Sequence, residues 1–466
     1  MNKNIITLTD SYKVGHYPQY PKNTTNIYSY FESRGGQFEE TVFFGLQYFI
    51  KEYLEGQVVT MEKILEAEQL FKLHFGTDKL FNKEGWLYIL EKYNGKLPIV
   101  INAVAEGSVI PTNNVLMTIE NTDPNCYWLT NYLETLLVEV WYPSTVATYS
   151  RECKKLILKY LQETGTPDSI NFKLHDFGFR GVTCPEQAGI GGLSHLVNFL
   201  GTDTMQALVF SRDYYGVSTE EGKIAGYSIP ASEHSTITSW GKEHELDAMR
   251  NMLEKYPTGL VACVSDSYDI FKACSEYWGG ILKDQVLQRD GCLVVRPDSG
   301  YPPEVVVKVL EILEEKFGVE FNNKGYKVLN PHVRIIQGDG IDLDMIGAVL
   351  YEMKKHNYSA DNIAFGSGGG LLQKHNRDTQ KFAFKCSSAI VDGSVRDVCK
   401  EPITDSGKKS KKGRLNLVEL ENVDGSKTIR TVSFPTGDKQ LLRKVFENGE
   451  LLIDQNLEDI RKNAGV

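Results

Sequence analysis

From about residue 171 onward the chain repeats one pattern, and that repetition restricts the possible folds more than any other feature. Short apolar runs end in polar or glycine-rich loops, and most are followed by a helical stretch. The endings read LHDFGFRG (174–181), ALVFSRDYYG (207–216), GYSIPASEH (226–234), LVACVSDSYD (260–269), CLVVRPDSG (292–300), VRIIQGDG (333–340) and IAFGSGGG (363–370). Helical spacing lies between them at 190–199, 248–256, 305–317 and 343–355. Repeated strand–loop–helix units predict parallel α/β architecture. Each ending places Asp, Ser, Arg or Gly after the strand, which favours a (β/α) barrel, where such loops meet at one mouth. A doubly wound sheet is the alternative, but the GxGxxG turn of a dinucleotide site is absent.

The flanking regions read differently. Residues 1–170 form a β-rich and helical region, 171–380 the barrel core, and 381–466 a C-terminal region that packs with the N-terminal one. Within the first, Asn26–Phe31 alternates as a strand. Helices are expected over 42–56 and 60–76, the latter with apolar spacing at Ile64, Leu65, Leu70 and Phe71. Two strands flank the Pro111–Asn114 turn, and 126–163 is helical with an interruption near Pro143. Residues 381–391 and parts of 415–448 read as strands, the latter ending in an FENGE turn before a short terminal helix. The net charge of −10 argues against a general nucleic-acid binder. Eight cysteines without a CxxC read as free thiols of a reducing compartment, and no apolar run is long enough to span a membrane. A cytoplasmic enzyme is the expectation.

Several residues point to phosphate and a flat ring. Gly366-Ser367-Gly368-Gly369-Gly370 follows a strand, and consecutive glycines let backbone N–H groups converge on an anion. Arg296 supplies a planar donor fork, and Asp298 a ribose or metal ligand; a strand-end salt bridge is the competing reading. Lys374, Arg377 and Lys385 follow the glycines, which suits a ligand with more than one phosphate. His234, beside Glu233, is either an acid–base or nucleophilic group or a hydrogen-bonded loop histidine. Phe177 and Phe179 alternate ahead of Arg180, so one ring can face a heterocycle while the other packs. Asp203, in GTDT, can fix a polar substituent on that ring. His175–Asp176 resembles a metal-phosphohydrolase fragment, without the further ligands such a centre needs.

Together these strings resemble the nicotinamide phosphoribosyltransferases, of the type II phosphoribosyltransferase family. The likeness runs through TDSYKVGHYPQYP, YSYFESRGG, KLHDFGFRG, AGIGGLSHLVNFLGTDT, GYSIPASEHSTITSWG, VSDSYDI, VVRPDSG, IIQGDG, FGSGGGLLQKHNRDTQKFAFKCS and SKKGR. The resemblance implies an irregular (β/α) barrel with an additional β-rich α+β domain. It implies a homodimer with active sites at the subunit interface. The implied reaction joins nicotinamide to 5-phosphoribosyl 1-diphosphate and releases diphosphate, with Mg²⁺, stimulated by ATP through a phosphorylated histidine. Phe177 would stack the ring together with Tyr12 of the other subunit. Arg180 would touch the pyridine region and the phosphate, Asp203 would accept from the carboxamide, and Ser228 lies near the same pocket. Arg296, Asp298, Gly338, Asp339, Gly368, Gly369 and Arg377 match ribose and phosphate positions. Asp10, Arg34, Lys385, Lys400 and Lys408 match groups around the diphosphate, with the basic run at 400–414 as a flap. His234 matches the phosphorylated histidine, and Asp266 would orient it. The metal ligands are not implied. A nicotinate phosphoribosyltransferase is the alternative, and Asp203 argues against it.

Overall fold

The structure is a computed structural model that describes residues 3–404, 409–422, 424–433 and 438–465. It divides into two compact units. One comprises Met1–Thr148, Tyr214–Gly216 and His375–Gly465; the other comprises Tyr149–Asp213 and Val217–Lys374. Beside the sequence borders at 170/171 and 380/381, the changeovers fall at 148/149 and 374/375.

The first unit is built on a seven-stranded antiparallel sheet. Its order is Ser394–Asp397, Phe382–Val391, Thr24–Ser33, Val115–Asn121, Ile99–Ala103, Arg443–Glu447 and Glu450–Leu451. Thr24–Ser33 is central because its sequence is apolar or aromatic on both faces: Ile27, Tyr28, Tyr30 and Phe31 are all buried. Phe31 stacks on Phe382 of the neighbouring strand, with ring centroids 5.1 Å apart. The FENGE turn joins the last two strands through Asn448 and Gly449, both at positive φ, which matches the right-handed strand twist. A three-stranded sheet from 416–421, 427–432 and 439–440 belongs to the same unit.

The second unit is the irregular barrel. Its parallel strands run in the order Gly201–Thr202, Leu174–Asp176, Ile363–Ser367, Val333–Gln337, Asp290–Arg296 and Thr258–Val264. The two edges are joined by the extended segment 227–231. Tyr227 bridges Gly201, and Ala231 bridges Ala262. Thr202 N–H donates to Tyr227 O at 3.0 Å and Ala262 N–H to Pro230 O at 2.9 Å, so neither edge ladder is left unpaired at those points. Ala262, Val294 and Ile336 meet inside the curl, with Phe177, Ile229 and Ala364 packed against them. Outside it, Pro302–Phe317 buries Val306, Val309, Leu310 and Leu313, and Leu343–Lys355 buries Ile346, Val349, Leu350 and Met353. Both sets follow helical spacing and cover the sheet's outer surface.

Four expectations need correction. ALVFSRDYYG is not a strand ending; it lies in the helix Met205–Tyr215. Ala207, Phe210 and Ser211 are buried at i, i+3 and i+4, and the strand of this repeat is the two-residue Gly201–Thr202 just before it. Pro143 does not interrupt the long helix: it sits in the first turn of Trp141–Thr164, where a missing N–H costs nothing, and the break is the tighter turn Val138–Val140 ahead of it. Over 42–56, the segment opens as a short strand, Glu40–Val42, and becomes helical only from Leu46. In the helix Met61–Phe75, Ile64 and Phe71 are buried, but Leu65 and Leu70 are exposed. No helix among the described residues is long and apolar enough to cross a membrane.

Candidate active site

The barrel places most of the expected residues on the loops that follow its strands. Phe177 comes directly after Leu174–Asp176, Asp203 after Gly201–Thr202, and Asp266 after Thr258–Val264. Arg296 ends Asp290–Arg296, Gly338 and Asp339 follow Val333–Gln337, and Gly368 follows Ile363–Ser367. All strands are parallel, so these loops share one end of the sheet.

Phe177 is the hub. Its N–H donates to Ser367 O at 3.0 Å, and its ring lies against Gly366, where a Cβ would come within 2.0 Å of Cε2. Glycine at 366 is therefore a condition of the ring's position. A Cβ on Gly338 would lie 3.6 Å from Phe177 Cε2 and 3.4 Å from Asp298 Oδ1, so ring, glycine turn and carboxylate adjoin. On the other side, a Cβ on Gly368 would be 3.2 Å from Phe177 O. The Arg180 turn, Phe179–Gly181, rests on Gly369, which is 3.8 Å from a Cβ on Gly181.

Asp203 is tied to the same hub. Its N–H donates to Asp176 O at 2.9 Å, and Ser228 Oγ donates a short hydrogen bond to Asp203 Oδ1. Asp203 is exposed. His175 stands nearby with its ring against Gly201; burial pulls its pKa below the ordinary imidazole value, and the charge of Asp203 pulls the other way. Behind these groups lies a mostly apolar cavity of about 360 Å³ lined by Phe172, His175, Ser228, Val294, Ile336 and Ala364.

His234 is the third group. It opens the helix His234–Thr238 directly after the barrel-closing segment. Nε2 lies 3.3 Å from Asp298 Oδ2 and 3.7 Å from Asp266 Oδ1, and Nδ1 lies 3.3 Å from Ser267 Oγ. Its side chain is 45% exposed while that of Asp266 is 4% exposed, so a buried carboxylate backs an accessible imidazole. Asp266 is fixed in turn: Oδ2 accepts from Asp298 N–H at 3.1 Å and from Ser299 Oγ at 2.5 Å. The carboxylates on the Nε2 side and the hydroxyl on the Nδ1 side hold the ring in one orientation. Arg296 ends the strand before the loop that carries Asp298, and its Nε is buried without a partner among the described residues.

The remaining expected residues lie in the first unit. Arg34, Arg377 and Lys385 come together there, with Lys13 and Glu134. Burial is the main reason the Lys385 ammonium is held below its usual pKa; Arg34, Arg377 and Lys13 add repulsion, and Glu134 opposes it. Lys13 is paired with Glu134 at 2.7 Å, and Arg34 Nε is buried without a partner among the described residues. Asp10 accepts from Thr135 Oγ1 at 2.8 Å, and Tyr12 is 62% exposed, its ring edge-on to His16. Lys400 is exposed and its backbone pairs with Ser410. Lys408 lies outside the described residues. Three contributors escaped sequence reasoning. Lys13 and Ser267 sit inside motifs already singled out, and Glu134 lies in a helical stretch with no local signal.

The chain matches the sequence profile of the nicotinate phosphoribosyltransferase (NAPRTase) family over residues 172–450, and that of the nicotinamide phosphoribosyltransferase N-terminal domain over residues 4–101. It is 50% identical to a nicotinamide phosphoribosyltransferase of Xanthomonas campestris pv. campestris, across 99% of this chain and 98% of that one. A nicotinamide phosphoribosyltransferase of Acinetobacter baylyi is 33% identical, across 98% and 96%. Among solved structures, a nicotinate-nucleotide pyrophosphorylase from Pyrococcus furiosus has a TM-score of 0.60 at 15% identity, with 99% and 95% covered. Human nicotinic acid phosphoribosyltransferase has a TM-score of 0.60 at 15% identity, with 98% and 92% covered, and these two likenesses bear on the fold alone. With the profile spanning the barrel and its loops, and relatives aligned end to end, the chain belongs to the nicotinate phosphoribosyltransferase (NAPRTase) family.

Proposed function

We propose that the chain is a nicotinamide phosphoribosyltransferase, converting nicotinamide and 5-phosphoribosyl 1-diphosphate into nicotinamide mononucleotide and diphosphate in NAD salvage. The observation that carries the choice of ring is Asp203. It is an acceptor beside Phe177, oriented by Ser228. A carboxamide offers it an N–H donor, whereas nicotinate would bring a second carboxylate. A hydrogen bond to a charged acceptor contributes about 1.5–3 kcal/mol, so a preference of at least about tenfold for the amide is expected.

Displacement at the ribose C1 passes through a state with oxocarbenium character and needs no protein nucleophile. The protein's task is to hold the pyridine nitrogen in line and to stabilise the departing diphosphate. Phe177 and, from a partner subunit, Tyr12 orient the ring. Arg180, Arg296, Asp298, Gly338, Asp339, Gly368, Gly369 and Arg377 hold ribose and phosphate. Asp10, Arg34, Lys385, Lys400 and Lys408 surround the diphosphate. Arginine and lysine charges act where negative charge accumulates. Mg²⁺ fits this arrangement in one form. Among the described residues no group of three or more His, Cys, Asp or Glu side chains can cage a metal, so the ion would be held by the diphosphate with one carboxylate such as Asp298. When bound it neutralises charge on the leaving group.

His234, backed by Asp266 and Asp298, has the arrangement of a phosphate-accepting imidazole, and stimulation by ATP through phosphorylation of His234 is part of the proposal. So is a homodimer with shared sites. The eight cysteines are all unpaired, which supports a reducing, cytoplasmic location.

The test is steady-state assay with labelled nicotinamide or nicotinate, the phosphoribosyl donor and Mg²⁺, with and without ATP. The amide should form mononucleotide at least about tenfold more efficiently. Equal or better use of nicotinate rejects the assignment to nicotinamide, and indifference to ATP rejects the role of His234.

A further inference from the structure

The His175–Asp176 pair has no role in the reaction so far. Among the described residues no group of three or more His, Cys, Asp or Glu side chains that could hold a metal includes it. Asp176 is nevertheless fully buried at the end of its strand, which is unusual for a carboxylate and calls for a reason.

Its contacts supply one. Oδ1 accepts from Gly178 N–H at 2.7 Å, closing a tight turn around Phe177. Its main-chain oxygen accepts from Asp203 N–H at 2.9 Å. One residue thus holds the ring-stacking side chain through its carboxylate and the amide acceptor through its backbone. The carboxylate is itself confined. Gly192, in the helix Pro185–Leu196, lies over Oδ2. A Cβ on Gly192 would approach Oδ2 to 3.0 Å, Thr204 Cγ2 to 3.1 Å and Ala207 Cβ to 2.9 Å. Gly192 is therefore the space into which this carboxylate fits, and both threonines of GTDT flank it.

We propose that Asp176 is a positioning residue that sets Phe177 and Asp203 relative to each other, and thereby the selection of a carboxamide ring over a carboxylate one. The proposal rests on the nicotinamide reading of the site. Loss of the carboxylate frees the turn at 177–178 and loosens the ring clamp. Of the groups assigned to ribose and phosphate, Arg180 shares this loop, while Arg296, Asp298, Gly338 and Gly368 lie on the loops of other strands and stay in place.

The test compares Asp176→Asn and Asp176→Ala in the full-length protein with both ring substrates and the phosphoribosyl donor. Asp176→Ala should raise the KM for nicotinamide about tenfold and lower the amide-to-acid ratio of kcat/KM by a similar factor. The KM for the phosphoribosyl donor should rise much less than that for nicotinamide, since only Arg180 of the phosphate groups shares the loop. Asp176→Asn, which keeps an oxygen acceptor for Gly178, should restore most of the ratio. Gly192→Ala pushes on the carboxylate without removing it, and serves where Asp176→Ala does not fold; it too should raise the nicotinamide KM selectively. Unchanged ring KM in the Ala variants, equal damage to both substrates' KM, or an Asn variant as impaired as the Ala variant overturns the inference. A wild-type protein that makes no mononucleotide from nicotinamide overturns the reading of the site as well. An active wild type with unaffected variants overturns this inference alone.

Discussion

Glu106 shows how one buried carboxyl can make stability depend on pH. It accepts from Gln47 N–H at 2.6 Å, while its own N–H donates to Gln455 and its carbonyl accepts from Asn463, so it ties the C-terminal segment to the first unit's sheet. Burial pushes its pKa from 4.5 up to about 7, against the pull of the Gln47 and Gly45 amides. An acid whose pKa is higher folded than unfolded stabilises the native state fully below the unfolded pKa. That contribution is lost as pH rises through the folded one. A shift of this size corresponds to about 3 kcal/mol. Denaturant unfolding at pH 5 and pH 8 should show wild type losing roughly 2–3 kcal/mol relative to Glu106→Gln over that interval. A parallel pH dependence in the two proteins would refute it. Nothing in AVAEGSV marks Glu106 as buried, because the groups that enclose it, Gln47, Tyr215 and Gln455, are distant in sequence. The chemistry-bearing residues were legible for the opposite reason. Asp203 and Asp298 sit in loops as polar letters with no core-packing role to perform.

Elements were legible where one face had to be buried against a regular neighbour, as in Pro302–Phe317 and Leu343–Lys355. They were misread where apolar letters served a different period, as in Met205–Tyr215, or where a strand is only two residues long, as in Gly201–Thr202. Barrel closure by 227–231 is illegible in sequence because it uses single bridges rather than a ladder. The turn after Thr24–Ser33 is another hidden device. Gly36 has φ +152°, and a Cβ there would strike Thr379 O at 2.2 Å, so the chain can pass only as glycine. Gln380 then staples the turn: Oε1 accepts from Phe38 N–H at 2.9 Å, Nε2 points at Phe38 O, Glu40 O and Thr41 Oγ1, and its carbonyl accepts from Ser33 Oγ. Arg34 lies within this staple, its N–H on Lys381 O. Gln380→Leu strands several buried polar groups and should cost about 3 kcal/mol in denaturant unfolding. Because Arg34 loses its support, the KM for the phosphoribosyl donor should rise more than that for nicotinamide. A loss of stability with both KM values unmoved would show that the staple serves the fold only.

At the scale of the whole molecule, the proposed homodimer makes a numerical prediction that a self-contained monomer cannot. Tyr12 and Asp203 belong to different units of the chain, and in the proposal a ring is held by Tyr12 of one subunit and Asp203 of the other. Tyr12→Ala and Asp203→Ala homodimers then both carry two damaged sites. In a mixed dimer one site inherits both lesions and the other inherits neither. Random assortment of equal amounts makes half the dimers mixed, so about a quarter of all sites should be intact. Co-expression of the two variants with separable tags, or joint refolding, should therefore recover about a quarter of wild-type kcat per site from two nearly inactive parents, and purification of the doubly tagged species should raise it to about half. The recovered activity should show the wild-type KM for nicotinamide, since the intact site lacks neither aromatic nor acceptor. If both residues served the same subunit's ring, every site in the mixture would keep one lesion, and mixing would add nothing beyond the parents' average.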